Sequence, residues 1–456
     1  MSERKLFGTD GIRGKANVYP MTCEVAMALG RAVTYYFQKH SPNKDRRPKI
    51  IVGKDTRRSC YMLELAFSSG VCSQGGRVVL TGPLPTPGVA FVTHSMRADA
   101  GVMISASHNI FSDNGIKIFD RNGDKLADEV ELELEELVLN PEKIETKIGP
   151  DLGNAKRLDE VFGRYIVYAK SAFNEDENLE GLDIVLDCAN GAGYKIGPMV
   201  FDELGASVHA LGVSPDGTNI NDSCGALHPS DAMKLVKEKN AHIGICLDGD
   251  ADRVVIIDEN GEQVDGDRLI GLFAKFLLDT GVLKQGDEVV GTVMSNLGLE
   301  NYIKELGLSF YRSKVGDRYI LERLKKSNAR LGGEPSGHII FKDNASTGDG
   351  ILSGLKTIEA MKYYDSPISK LTSSIDLYPQ QLENIRVKQK TPIKKLPKLS
   401  EAIDSVNSEL GHEGRVLIRY SGTESLMRIM VEGKDDQKVS SALKKLVETA
   451  KSEIGV

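Results

Sequence analysis

KIIVGKDTRRSCYMLELAFSSGVCSQGGRVVLTGPLPTPGVAFVTHSMRADAGVMI, residues 49 to 104, carries the pattern that sets the fold class. Its apolar, β-branched runs at 49 to 53, 77 to 81 and 99 to 104 are too short for helices and read as buried strands. The stretches at 58 to 74 and 86 to 95 between them read as helices, so the segment is a βαβαβ unit with a parallel sheet. A second unit follows with a strand at 183 to 188, a glycine turn, a helix around 193 to 204 and a strand at 206 to 211. Strands near 242 to 247 and 253 to 258 extend it. A third begins with a strand at 288 to 294, followed by helices near 297 to 305 and 316 to 326 and strands near 308 to 313 and 329 to 332. The C-terminal segment changes character. A helix near 399 to 410, strands at 415 to 420 and 426 to 433, and a last helix with Val439, Leu443, Leu446 and Ala450 on one face make an α+β unit. The expected fold class is therefore α/β: three related α/β domains in series plus a C-terminal α+β domain. Polar stretches near 141 to 156 and 386 to 398 read as surface connectors. The domains are expected at 1–152, 153–256, 257–372 and 373–456.

A chain of 456 residues has room for several cores. Its 40% hydrophobic and 27% charged residues and 46 glycines suit an ordinary globular protein rich in turns. The longest apolar runs, such as Ile243 to Leu247, fall far short of the ~18–20 residues that cross a bilayer, so no membrane partner is expected. The formal net charge of −7, without long Lys/Arg runs, excludes a basic field for nucleic acid. The opening MSERKLFGTDGIRG has charges but no apolar centre, and the six cysteines are scattered without a CxxC pair. Both features lead to the expectation of a cytoplasmic protein with reduced thiols and no zinc site or disulfide framework.

Four segments carry possible chemistry. GVMISASHNIFSDNGIKIF, from Gly101, sets Ser105, Ser107, His108 and Asn109 just beyond an apolar strand, where open α/β sheets expose reactive groups. Ser107 is the candidate nucleophile; a polar strand-end turn is the other reading. No GxSxG elbow is present to suggest a serine hydrolase. Asp248, Asp250 and Asp252, followed by Arg253, alternate on a turn between apolar strands. Carboxylates so placed can converge on a hard divalent cation, with Mg²⁺ favoured where phosphate oxygens complete the shell. An EF-hand does not fit, because Arg253 stands where its loop needs glycine and the flanks are strands rather than helices.

The third segment, GGEPSGH from Gly332, offers Glu334 and Ser336 to sugar hydroxyls and His338 to a proton near neutral pH; a plain glycine-rich hairpin is the other reading. The fourth, Arg419-Tyr-Ser421-Gly422-Thr423-Glu424 with Arg428 beyond, combines hydroxyls, a glycine and guanidinium groups into a cradle for a dianion. No GxxxxGK[ST] occurs, and the glycines at 191, 193 and 197 are wrongly spaced for a dinucleotide fingerprint, so no nucleotide cofactor is expected.

In this order and spacing the four segments resemble the α-D-phosphohexomutase superfamily over essentially the whole chain. The resemblance implies four domains around a central cleft, each giving one loop: phosphoserine, metal, sugar and phosphate loops in chain order. It implies that Ser107 carries phosphate, and that Asp248, Asp250 and Asp252 hold one Mg²⁺ together with that phosphate on Ser107. Glu334 and Ser336 would grip the sugar, Arg253 would steer its ring, and Arg419, Ser421, Gly422, Thr423 and Arg428 would grip the non-reacting phosphate. Arg13, His108 and Lys117 are expected around the transferring group, with Lys117 or His338 moving the proton. The stretches from Phe7 to Gly14, Thr292 to Leu299 and Val315 to Tyr319 resemble the amino-sugar branch. The substrate implied is a hexosamine phosphate, glucosamine 6-phosphate and glucosamine 1-phosphate being interconverted through a 1,6-bisphosphate. Ile110, Ala251, Pro335, Tyr420 and Ser425 depart from that branch's usual residues. Mannose or glucose phosphates as substrates, and a sugar-phosphate binder without catalysis, are the alternatives. A hinge is expected near 370 to 385.

Overall fold

The computed structural model of the chain describes residues 4–8, 10–41, 43, 45–421 and 425–454. Among them lie four sheets in chain order. The first has the order β1 (Ile12–Lys15), β5 (Asp113–Phe119), β4 (Ala100–Ile104), β2 (Lys49–Lys54), β3 (Arg77–Pro83), β6 (Asn154–Arg157). The second runs β11 (Gln263–Val264), β10 (Val254–Ile257), β9 (Ile243–Leu247), β7 (Asp183–Asp187), β8 (Ser207–Leu211). The third runs β13 (Ser309–Ser313), β12 (Glu288–Thr292), β14 (Leu331–Gly333), β15 (Ile339–Phe341). The fourth is antiparallel, with β18 (Leu426–Gly433) between β16 (Gln380–Arg386) and β17 (Gly414–Tyr420).

The first three sheets share one topology. In each, the first strand of the unit lies between the second and third, all parallel, and the fourth turns back antiparallel on the third: β3-β2-β4-β5, β8-β7-β9-β10 and β13-β12-β14-β15. The return from the third strand to the fourth leaves a loop at the carboxyl end of the third strand, where α/β sheets place their ligands. Those three loops hold Ser107, the aspartate trio, and Glu334 with Ser336. The expected α/β class with a separate C-terminal α+β unit is thus the observed architecture.

Several elements differ from the sequence reading. The polar stretch expected as a connector at 141 to 156 runs into β6, whose four side chains are exposed while its backbone pairs with β3. An edge strand needs backbone partners, not apolar side chains, so its composition hid it. The helix Gly266–Asp279, not among the elements expected, buries ten of its residues and turns Arg268, Lys275 and Asp279 outward on one face. The helix expected at 193 to 204 is shorter, Ile196–Asp202.

One apolar cluster joins the first three units. Ile51, Leu84 and Met103 from the first, Tyr165, Leu186 and Leu247 from the second, and Phe273, Val289 and Ile358 from the third belong to it. The fourth unit packs Ile385, Leu399, Ile429 and Leu446 into a core of its own. No helix among the described residues is long and apolar enough to cross a membrane.

Candidate active site

β4 is buried throughout and delivers the first loop into the protein interior. Ser107 sits there in the left-handed region, φ 53, only 1% exposed. Its N–H donates to Ser105 Oγ at 2.9 Å, and Arg13 Nη1 donates to Ala106 O at 3.2 Å. Its Oγ donates to Asp248 Oδ2 at 2.6 Å and lies 3.3 Å from His108 Nδ1. Burial first, then Arg253 and Arg13, bring the His108 pKa down to about 4, so the imidazole is uncharged at neutral pH.

Asp248, Asp250 and Asp252 are all buried, and carboxylate oxygens of the three lie within 4.8 Å of one another. Thr86 Oγ1 donates to Asp250 Oδ2 at 2.6 Å, and the Thr86 N–H to Asp250 O at 2.9 Å. Burial, reinforced by Asp252 and Asp250, pushes Asp248 up to about 8. Oδ1 of Asp250 and Oδ1 of Asp252 are buried without a hydrogen-bond partner. Hard, anionic oxygens crowded together and left unsatisfied fit a divalent oxygen-seeking cation, and Mg²⁺ suits a site that a phosphate can complete.

Around the trio runs a closed circuit of charged side chains from three units. Lys117 Nζ lies 2.8 Å from Asp250 Oδ2, 3.1 Å from Asp252 Oδ2 and 3.4 Å from Asp10 Oδ2. Asp10 also pairs with Arg13 and with Lys125, and Lys125 reaches Asp317 at 2.6 Å. His338 closes the circuit, its Nε2 3.4 Å from Asp317 and its Nδ1 3.7 Å from Asp252. The Gly348 N–H donates to Nε2 at 2.9 Å, which puts the imidazole proton on Nδ1, facing Asp252. For Lys117, burial works against the charge, but Asp10, Asp250 and Asp252 outweigh it and hold the ammonium well above its ordinary value.

The third loop stands beside this circuit. Val254 N–H donates to Gly337 O at 3.1 Å, and a Cβ at Gly337, φ +83, would lie 1.9 Å from Val254 O, so only glycine lets the second and third loops meet. Glu334 Oε1 accepts from Gly316 N–H at 2.9 Å and Oε2 from Ser336 Oγ at 3.4 Å. Arg253, a quarter exposed, leans over the aspartates with Nε 3.9 Å from Asp252 Oδ1.

In the fourth unit Arg419 and Arg428 are direct cross-strand partners on β17 and β18. Burial, then the neighbouring Arg428, pulls the Arg419 pKa down. Ser421 N–H donates to Leu426 O at 2.8 Å and so holds the mouth of this hairpin; Gly422 and Thr423 lie outside the described residues.

The structure therefore brings together Ser107, His108, Arg13, Lys117, the three aspartates, Arg253 and His338, with Glu334 and Ser336 alongside. It adds residues that the sequence reading had no role for. Asp10 and Asp317 lay in stretches noted only for their resemblance, while Thr86, Lys125, Arg57 and Asn221 carried no local signal.

The family described as Phosphoglucomutase/phosphomannomutase matches in four pieces: alpha/beta/alpha domain I over residues 4–145, domain II over 163–261, domain III over 265–378, and the C-terminal domain over 382–449. A phosphoglucosamine mutase of Geobacter sp. (strain M21) is 52% identical over 435 residues, 95% of this chain and 94% of that protein. The phosphoglucosamine mutase of Pelobacter propionicus is 50% identical over 454 residues, 99% of each chain. Among solved structures, a phosphoglucomutase/phosphomannomutase family protein from Burkholderia thailandensis superposes with TM-score 0.81 at 22% identity, over 98% of this chain and 99% of that one. The Aspergillus fumigatus N-acetylphosphoglucosamine mutase, in complex with GlcNAc-6P and magnesium, gives 0.70 at 18% identity, over 100% and 96%.

Proposed function

Because this chain belongs to the phosphoglucomutase/phosphomannomutase family, we propose that it interconverts glucosamine 6-phosphate and glucosamine 1-phosphate. It is an isomerase of the phosphohexomutase kind, and its half-identical relatives carry the name phosphoglucosamine mutase. The observation that carries the reading is the 2.6 Å contact of a buried serine hydroxyl with a cluster of three buried carboxylates. A serine that merely capped a turn would have no use for three buried acids beside it, two of them with an oxygen left unpartnered.

In this reading Ser107 carries the phosphoryl group. The free hydroxyl of the hexosamine phosphate attacks phosphorus, the bond to Ser107 Oγ breaks, and a 1,6-bisphosphate forms. The hydroxyl proton ends on Oγ, with His108 Nδ1 at 3.3 Å placed to relay it. The bisphosphate then turns over in the cleft and returns its other phosphate to Ser107. Asp248, Asp250 and Asp252, with the phosphate on Ser107, would hold one Mg²⁺, which supplies charge stabilisation for phosphoryl oxygens. Lys117 is already shared by three carboxylates, so its role is positive charge near the reacting centre rather than a base. Arg13 anchors Ala106 O and pairs with Asp10, adding a second cation. His338, with its proton on Nδ1, orients Asp252 rather than deprotonating substrate. Glu334 and Ser336 grip the sugar and Arg253 steers its ring. The opposed Arg419 and Arg428, with Ser421, Gly422 and Thr423, receive the phosphate that is not in transfer. Location in the cytoplasm follows from the same reading.

Ser107→Ala is expected to abolish turnover of glucosamine 1-phosphate while the chain still folds, with Tm lowered only by the loss of the donor to Asp248, a cost of about 1–3 kcal/mol. An alanine variant that still turns over would sink the assignment. Comparing kcat/KM for glucosamine, glucose and mannose phosphates decides the sugar.

A further inference from the structure

Four hydrogen bonds from two units converge on two carbonyl groups of the Ser107 loop. Within the first unit, Arg57 is fully buried and paired with Asp55, and its Nη2 donates to Ser107 O at 3.2 Å and also to Asn109 O. From the second unit, Asn221 Nδ2 donates to the same two carbonyls, at 2.8 Å to Ser107 O and 2.9 Å to Asn109 O. Asn221 is 4% exposed, and its own N–H is fixed on Ala189 O at 3.0 Å. The glycine between Asp248 and Asp250 clears the space for this contact: a Cβ at Gly249 would lie 2.6 Å from Ser107 O and 2.7 Å from Asn221 Nδ2.

Ser107 needs such support. A non-glycine residue at φ 53 is strained by about 1–2 kcal/mol and holds that conformation only where its surroundings over-determine it. Arg57 ties the loop to its own sheet, while Thr86 and Lys117 join the first unit to Asp250 and Asp252 from outside this loop. Asn221 ties it to the unit that carries Asp248. We propose that Asn221 is a positioning residue that sets the reach between Ser107 Oγ and the aspartate trio by clamping the loop of one unit onto the next. It touches no reacting atom and acts through Ser107. The role rests on the reading above that Ser107 carries the phosphoryl group.

The test is Asn221→Gly, because glycine adopts the φ of 55 found at this position without strain and so removes only the amide. Transfer depends steeply on placement, so kcat is expected to fall about 10- to 100-fold, with KM changed by less than about twofold. Hydrogen exchange measured on the full, unliganded chain should speed up in peptides covering 105 to 112 and stay at the parent rate elsewhere. Asn221→Asp keeps the size but offers no N–H and sets a carboxylate against two carbonyls, so its kcat should fall further than that of the glycine variant. Parent-like kcat in Asn221→Gly, or unchanged exchange at 105 to 112, overturns the proposal. So does a loss of kcat matched by faster exchange throughout the chain, which marks a merely structural role. A parent chain inert toward every hexose phosphate, whose 105 to 112 segment still loosens selectively in the variant, would instead remove the mutase reading and leave the clamp standing.

Discussion

Ile51, Leu186, Leu247, Phe273 and Val289 belong to one continuous apolar cluster spanning three units, whereas Ile385, Ile429 and Leu446 of the fourth pack among themselves. The first three units are further locked by the buried circuit through Asp252, Lys117, Asp10, Lys125 and Asp317. The fourth is joined to the third by polar contacts. Asn296 brackets the backbone of Tyr378, the last residue of the third family domain, accepting its N–H and donating to its carbonyl, each at 2.9 Å, and across the boundary Arg415 Nη2 donates to Ser295 O at 2.7 Å. Apolar burial over a wide area is hard to shear, while a few hydrogen bonds can exchange with water at little net cost. On the proposed reading, chemistry falls to the three-unit block with its shared core, and phosphate capture to the unit with a core of its own. The hinge expected at 370 to 385 spans the place where one core gives way to the other, and a substrate that must present both ends to one serine has use for such a joint.

The most severe way to break the rigid side of this comparison is Lys117→Met. Three carboxylates would lose their shared cation, so a stability loss of about 3–5 kcal/mol is expected, read as a lower Tm. A kcat loss of about 100- to 1000-fold should accompany it. Added Mg²⁺ should recover part of the Tm, because a cation at the aspartates takes up charge the lysine no longer meets. An unchanged Tm would show that the circuit does not hold the block together.

Arg419→Ala addresses the fourth unit. It should lower kcat/KM about 10- to 100-fold, mainly through KM, as expected for charge-assisted bonds to a remote phosphate. The free enzyme should keep its Tm or gain slightly, since one of two opposed cations is gone. A loss confined to kcat would place this arginine at the reacting phosphate instead.

The smallest expected effect lies at the joint itself. Asp267 accepts the Asn296 N–H at 2.7 Å, and burial foremost pushes its carboxyl up to about 7. An acid whose folded pKa exceeds its unfolded value, ~3.9, binds more protons when folded, so its stabilising contribution is present below about pH 4 and lost as pH rises through 7. Asp267→Asn keeps an acceptor without the charge. Its stability relative to the parent, read from Tm, should therefore be higher at pH 8 than at pH 5, by a difference on the order of 1–3 kcal/mol. A pH-independent difference would show that this carboxyl does not titrate at the joint.

How much of the molecule could be read beforehand depends on where each signal lives. The aspartate trio and Ser107 were legible because alternating carboxylates and a polar turn stand out against the apolar strands on either side. β6 was not, since its side chains are polar on an edge, and the helix Gly266–Asp279 went unread although Arg268, Lys275 and Asp279 mark its outer face. Lys125 and Asp317 look like any surface charges until the third unit folds against the first and buries them side by side.

The order of apolar strands and the loops that follow them is local chemistry, written in residue type and spacing, and the amino-acid sequence alone determined it. The recurrence of one sheet topology three times, the circuit of charges, and the joint at Asn296 and Tyr378 were decided only by the tertiary structure. So were the grips of Arg57 and Asn221 on two backbone carbonyls. Every residue carries a carbonyl, so no pattern in the chain can say which of them a distant amide will find.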